Sequence, residues 1–146
     1  MEPVPTPRGP GRVILLNGAS SSGKSTLATG LQHALDEPFL YLSSDQLVDA
    51  GVLPERRDAE GPFRWWEELR PRFFAGFHGC IPALADAGND LIVEHVIEFP
   101  AWRAELAQLL AHLDVDTTAG VTPALVTRVI ASWRSRGADR ALLREA

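Results

Sequence analysis

Lysine is almost absent from this sequence. Among 146 residues there are 14 Lys and Arg against 19 Asp and Glu, and Lys24 is the only lysine. The resulting net charge of −5 gives no basic surface of the kind that binds nucleic acid, and the arginines are scattered rather than clustered. A small molecule is therefore the favoured partner.

Cysteine and long apolar runs are also scarce. The single cysteine, Cys80, excludes an internal disulfide and fits a reducing, cytoplasmic setting. Its place in an apolar helical stripe predicts a core residue rather than a nucleophile. No apolar stretch approaches the roughly 20 residues that a membrane span requires. Residues 1–11, rich in proline and glycine, predict a disordered tail before a single domain over residues 12–146.

The one lysine lies in a glycine- and serine-rich segment, GASSSGKST, which matches G-x-x-x-x-G-K-[ST] at every fixed position. In such a loop the glycines let backbone amides point at phosphate oxygens. Lys24 would reach the β- and γ-phosphates of ATP, and the Ser25 hydroxyl would hold Mg²⁺. The predicted cofactor-binding residues are Gly18, Ala19, Ser20, Ser21, Ser22, Gly23, Lys24, Ser25 and Thr26.

The flanks of this segment favour a true phosphate loop over a chance match. Residues 13–16 are continuously apolar, as expected of a strand buried on both faces of a parallel sheet. Leu27, Leu31 and Leu35 then recur every four residues, which predicts a helix. The N-terminus of that helix would direct its free amides and positive dipole end at the anion.

Further strands and helices alternate along the rest of the chain. Strands are predicted at residues 39–43 and 91–93, with 96–97 beyond, and helices at 65–87, from 100 to about 113, and from 123 to about 136. Such alternation predicts a parallel sheet with helices on both faces, and ligands bind such sheets at the C-terminal ends of their strands. The phosphate loop, Asp45 and the Glu94-His95 pair are expected around one crevice.

Each of these side chains has two interpretations. Asp45 is the predicted catalytic base for the attacking hydroxyl, or alternatively the cap of a helix that begins at Gln46. Glu94 is predicted to lie near Mg²⁺, through water, or alternatively to pair with an arginine. His95 contacts substrate or is a structural residue. Arginines and tryptophans at residues 56–72 form either a lid over the acceptor or a surface helix whose tryptophans pack inward.

Together these segments resemble the chloramphenicol phosphotransferase-like P-loop kinases. The matching stretches, within about residues 12–115, are RVILLNGASSSGKSTLATGLQ, FLYLSSDQL, and ELRPRFFAGFH followed by LADAGNDLIVEHVI. The resemblance implies a three-layer α/β P-loop kinase fold and Mg²⁺-dependent transfer of the γ-phosphoryl group of ATP to a small-molecule hydroxyl. In members that modify chloramphenicol, this reaction inactivates the antibiotic. The family's catalytic base maps onto Asp45, its phosphate loop onto residues 18–26, and its magnesium-ligating hydroxyl onto Ser25.

The sequence departs from this family after the helix that ends near Leu113. Such a kinase continues with a fourth strand, a helix, an arginine-bearing lid and a fifth strand, whereas here residues 113–115 run directly into DTTAG and the final helix. The sheet is therefore predicted to have four strands or fewer, and the arginine-bearing lid that precedes the fifth strand is predicted to be missing. Arg134, Arg136, Arg140 and Arg144 are the remaining arginines near the C-terminus. A catalytically impaired nucleotide-binding module and a kinase for a nucleotide or sugar stay open as alternatives.

Overall fold

The computed structural model describes residues 9–19, 23–54, 66–109 and 120–135, and its core is a three-stranded parallel sheet. The strands are β1 (Val13–Asn17), β2 (Phe39–Ser43) and β3 (Asp90–His95), in the order β1-β3-β2. In register, Leu16 of β1 and Ser43 of β2 both lie opposite Glu94 of β3. The residues that follow the three strands therefore meet at one edge of the sheet.

Helices cover both faces of this sheet. In the described ranges they are α1 (Lys24–Ala34), α2 (Ser44–Asp49), α3 (Trp66–Asp86), α4 (Pro100–Leu109) and α5 (Pro123–Ser135). Leu31 of α1 and Val129 of α5 belong to one core, while Phe77 of α3 and Leu106 of α4 belong to the other. Because side chains alternate across a strand, the continuously apolar β1 supplies both cores.

This three-layer arrangement confirms the predicted fold class, and three strands agree with a sheet of four or fewer. Residues 113–115, where the sequence departs from the family pattern, lie outside the described residues, as do Arg136, Arg140 and Arg144. The predicted extension of β3 through residues 96–97 is wrong, since the strand ends at His95. There the backbone amide of Ile97 donates to Oδ1 of Asn17 at 3.0 Å, so a side chain takes the place of a ladder partner.

The helix α3 is continuous over 21 residues although it contains Pro71 and Pro82. Its buried residues, Phe77, His78, Ile81 and Ala85, form the stripe that packs on the sheet, and burial of such a stripe stabilises a helix despite its prolines. Cys80 lies off this stripe and is exposed, so its predicted core position is wrong. No helix in the described parts of the chain is long and apolar enough to cross a membrane.

The chain enters β1 through a tight backbone contact at Gly11. A Cβ added there would lie 1.8 Å from the carbonyl oxygen of Asn89, and the Gly11 amide donates to Ala85 O at 2.7 Å. We expect Gly11→Ala to lower the free energy of unfolding by about 1–3 kcal/mol, the usual cost of overpacking. Urea denaturation measures this, with Gly9→Ala as the control because a Cβ at Gly9 meets nothing within 4 Å. Equal losses in both variants would contradict the role of the close contact.

Candidate active site

The phosphate-loop segment joins β1 to α1, and the structure describes it except for Ser20, Ser21 and Ser22. Gly23 has φ +87°, and Lys24, the first residue of α1, follows it. Lys24 is buried, and its Nζ donates to the carbonyl oxygen of Ala19 at 2.6 Å. The ammonium group is thus held within the loop at the N-terminus of α1, where free backbone amides and the helix dipole favour an anion.

Gly23 is required by its surroundings as well as by its backbone angle. A Cβ at this position would lie 2.9 Å from Cγ2 of Val121, in a conformation that side chains of L-residues rarely adopt. About two helical turns onward, a Cβ at Gly30 would lie 3.3 Å from Cγ2 of Val126 in α5. Val121, just before α5, therefore packs on the phosphate loop, and Val126 of α5 packs on α1.

Two hydroxyl groups meet the carboxylate of Glu94 near the end of β3. The Ser25 hydroxyl lies 2.9 Å from Oε1 and 3.0 Å from Oε2, and the Tyr41 hydroxyl donates to Oε2. Within the described ranges Glu94 forms no ion pair with an arginine. A serine hydroxyl and a carboxylate within 3 Å of each other are the oxygen ligands that Mg²⁺ takes, so this pair fits the ion.

Sequence reasoning missed Tyr41, the only tyrosine in the chain. Burial, together with the hydrogen bond to Glu94, raises the pKa of Tyr41 to about 12. The phenol therefore stays protonated at neutral pH and acts as a hydrogen-bond donor. The sequence carries no local signal for this contact, because it depends on the pairing of β2 with β3. In that pairing Tyr41 lies opposite Ile92, two residues before Glu94, and so faces the same side of the sheet as Glu94.

Asp45 does not cap the helix α2. The helix α2 begins at Ser44, and Ser43 is its cap: Gln46 N donates to Ser43 Oγ at 3.1 Å, and Ser43 N donates to Gln46 Oε1 at 2.9 Å. The alternative that Asp45 caps a helix beginning at Gln46 is therefore wrong. Asp45 lies in the first turn of α2, exposed, and makes no hydrogen bond or ion pair with the described residues. Its carboxylate is available to a substrate.

The model of the chloramphenicol phosphotransferase-like protein family matches residues 11–137. The chain belongs to this family. Among curated proteins no match is found.

Solved structures of kinases have the same fold as this family member. APS kinase CysC of Mycobacterium tuberculosis is similar over 87% of this chain and 99% of that chain, with a TM-score of 0.63 and 19% identity. Its complex with AMPPNP and APS has a TM-score of 0.55 and 17% identity, over 92% of this chain and 80% of that chain. A putative kinase from Chloroflexus aurantiacus has a TM-score of 0.52 and 17% identity, over 90% and 74%. At these identities the likeness shows the fold, that of P-loop kinases.

In this phosphotransferase-like protein, His95 faces the opposite side of the sheet from Glu94. It is buried, its Nε2 lies 2.9 Å from Nε2 of His78, and the ring of Trp102 stacks on it at 5.6 Å. Nδ1 of His78 lies 3.0 Å from Oε2 of Glu105. Burial and the neighbouring His78 together lower the pKa of His95 to about 4, so His95 is neutral at neutral pH. The expected grouping of Glu94 and His95 is therefore wrong, because successive residues of a strand point to opposite faces.

The described arginines of the predicted lid are paired with carboxylates. Arg70 pairs with Glu98 and also lies over the ring of Phe99, at 5.6 Å from its centroid. Arg72 pairs with Glu68 at 3.1 Å, one turn away on α3. Arg56, Arg57, Arg64 and Trp65 lie outside the described residues. In the final helix, Arg134 pairs with Asp36 at 2.9 Å.

Family membership and fold together support a nucleotide-dependent phosphotransferase. At the level of residues, the structure brings Ser25 and Glu94 into contact. Lys24 directly precedes Ser25 at the start of α1. Asp45 comes two residues after Ser43, which lies opposite Glu94. These groups lie at the same edge of the sheet, where parallel sheets bind their ligands.

Proposed function

We propose that this protein transfers the γ-phosphoryl group of ATP to a hydroxyl group of a small molecule in a Mg²⁺-dependent reaction. The observation that carries this proposal is the first turn of α1. There Lys24 is folded back onto the loop carbonyl of Ala19, while the next residue, Ser25, contacts Glu94. Two consecutive residues thus supply what binding of a nucleoside triphosphate requires. Lys24 supplies a buried positive charge for the phosphates, and Ser25, together with Glu94, supplies oxygen ligands for the metal.

The phosphate loop, residues 18–26, would bind the triphosphate. Its amides and the N-terminus of α1 donate to phosphate oxygens, and Lys24 exchanges its carbonyl partner for the β- and γ-phosphates. Ser25 would hold Mg²⁺ directly and Glu94 through water. When bound, Mg²⁺ neutralises the charge that develops on the phosphoryl group.

Asp45 is the base in this proposal. It accepts the proton of the acceptor hydroxyl as that oxygen bonds to the γ-phosphorus, and the bond from the γ-phosphorus to the bridging oxygen breaks, releasing ADP. The proton then passes from Asp45 to solvent. Its exposure, and the capping of α2 by Ser43 instead, support this role, since no interaction with the described residues would have to be broken.

The proposed acceptor is chloramphenicol or a related hydroxyl compound, which rests on the family alone. The test is incubation of the purified full chain with Mg·ATP and a panel of chloramphenicol, sugars and nucleosides, with mass spectrometry of the products and measurement of ADP release. A phosphorylated product formed in equal amount to ADP is expected for at least one member.

Calorimetry with Mg·ATP on the same protein separates the remaining outcomes. Binding of Mg·ATP without transfer to any acceptor would favour the impaired nucleotide-binding module. If folded protein shows neither binding nor transfer, the proposal is overturned.

A further inference from the structure

The hydroxyl of Tyr41 makes a contact that phosphate binding and proton transfer do not use. It donates to Oε2 of Glu94, the carboxylate that Ser25 of α1 also contacts. One helix and one strand thus each supply a hydroxyl to the same carboxylate. Ser25 has a proposed role as a ligand of Mg²⁺. Tyr41 has no role in the proposed reaction, and its hydroxyl contacts the Glu94 carboxylate.

The sheet fixes this contact. Tyr41 lies opposite Ile92 in the β2–β3 ladder and packs against the core between the sheet and α1. Glu94 comes two residues after Ile92 and so points to the same face, about 7 Å farther along the strand. A tyrosine side chain spans this distance, because its hydroxyl stands at the end of a rigid ring. The donor therefore reaches the carboxylate from the neighbouring strand of the same sheet.

A carboxylate that acts on a metal through water depends on its own orientation. Glutamate has three rotatable side-chain bonds, so an unheld Glu94 would sample many positions at the sheet edge. Hydrogen bonds to the groups around a metal orient them, and losing such a partner costs ~10–100-fold in metal affinity or activity. The hydroxyl of Tyr41 is a donor of this kind, on an element separate from the phosphate loop.

We infer that Tyr41 is a positioning residue for the metal: its hydroxyl holds Glu94 in the orientation that supports Mg²⁺ beside Ser25. This inference rests on the proposed function, and it assigns Tyr41 no contact with ATP or the acceptor. The competing explanation is structural, that the hydroxyl only completes the packing of a half-buried ring.

Tyr41→Phe tests this inference, because it removes one oxygen and keeps the ring. The probe is Mn²⁺, whose binding with ATP is followed by electron paramagnetic resonance, without any need for turnover. For Tyr41→Phe we expect the affinity for Mn·ATP to fall by ~10-fold while the affinity for metal-free ATP stays within twofold. In a Glu94→Ala background, Tyr41→Phe should add less than a ~2-fold effect, since its partner is already gone.

The outcomes separate this inference from the proposed function. If the unaltered protein binds ATP no better with Mn²⁺ than without it, the proposed metal site fails, and the role of Tyr41 fails with it. If that protein prefers Mn·ATP but Tyr41→Phe binds it equally well, only the role of Tyr41 is overturned. An equal loss in both backgrounds, or an equal loss for metal-free ATP, would also overturn it, because the hydroxyl would then act on the fold rather than through Glu94.

Discussion

Replacement of Lys24 by methionine is expected to weaken Mg·ATP binding by ~10²-fold or more. Lys24 is 4% exposed, so methionine keeps the buried aliphatic stem and removes only the ammonium group. A lost charged partner costs ~2–5 kcal/mol, and about 3 kcal/mol corresponds to a factor of ~10² in affinity. Turnover should fall by a further ~10²–10³-fold, because the ammonium also stabilises charge that develops during transfer.

Calorimetry and steady-state kinetics measure the effect of Lys24→Met. The control is Arg128→Met, which removes an exposed cation from α5 and should leave the affinity within twofold. The scarcity of lysine supplies an independent readout. A sample isotopically labelled at lysine gives one side-chain signal, which should shift when Mg·ATP binds. Two results together would exclude Lys24 from the site: unaltered affinity for Mg·ATP in Lys24→Met, and no shift of the lysine signal when Mg·ATP binds to the unaltered protein.

The elements nearest the phosphate loop could be predicted because their sequence signals are local. Residues 13–16 are apolar at every position, and such a run is buried on both faces wherever a parallel sheet places it. The strand at residues 39–43 was predicted with the boundaries that the structure has. Asp45 follows two residues after the end of this strand, at the expected edge of the sheet, whereas the capping of α2 by Ser43 depends on backbone geometry that the pattern does not give.

The Tyr41–Glu94 contact could not be predicted in the same way. It depends on β2 lying beside β3, and a strand pattern states which residues are extended without stating which strands are neighbours. The two residues are 53 positions apart in the chain. Once the order β1-β3-β2 and the register that pairs Tyr41 with Ile92 are given, alternation puts both side chains on the α1 face.

The error at Cys80 has a physical cause in the neighbouring histidine. An apolar pattern does not count His78 as a core residue, yet its ring is fully buried because its two nitrogens lie beside His95 and Glu105. Including His78 rotates the buried stripe of α3 toward residues 78 and 85 and away from Cys80. The polar contacts of His78 with His95 and Glu105 therefore help decide which face of α3 is buried, and the hydropathy of single residues does not reveal such contacts.

Replacement of Asp45 by asparagine should separate catalysis from binding. Asparagine has nearly the same shape but cannot accept the hydroxyl proton, so phosphoryl transfer is expected to fall by ~10²–10⁴-fold, the usual contribution of a general base. Affinity for Mg·ATP should stay within twofold, because Asp45 makes no hydrogen bond or ion pair with the described part of the phosphate loop. Stability should change by at most about 1 kcal/mol, since Ser43 rather than Asp45 caps α2 and only a favourable first-turn charge is lost.

Asp49→Asn is the matched control for this prediction. Asp49 is exposed on the same short helix, at its last residue, so the substitution removes an equal charge from the end that points away from β2. Transfer rates measured at saturating Mg·ATP should be unaffected in Asp49→Asn and strongly reduced in Asp45→Asn. Equal rates in the two variants would exclude Asp45 as the base, whereas loss of ATP affinity in Asp45→Asn would move its role from the acceptor to the nucleotide.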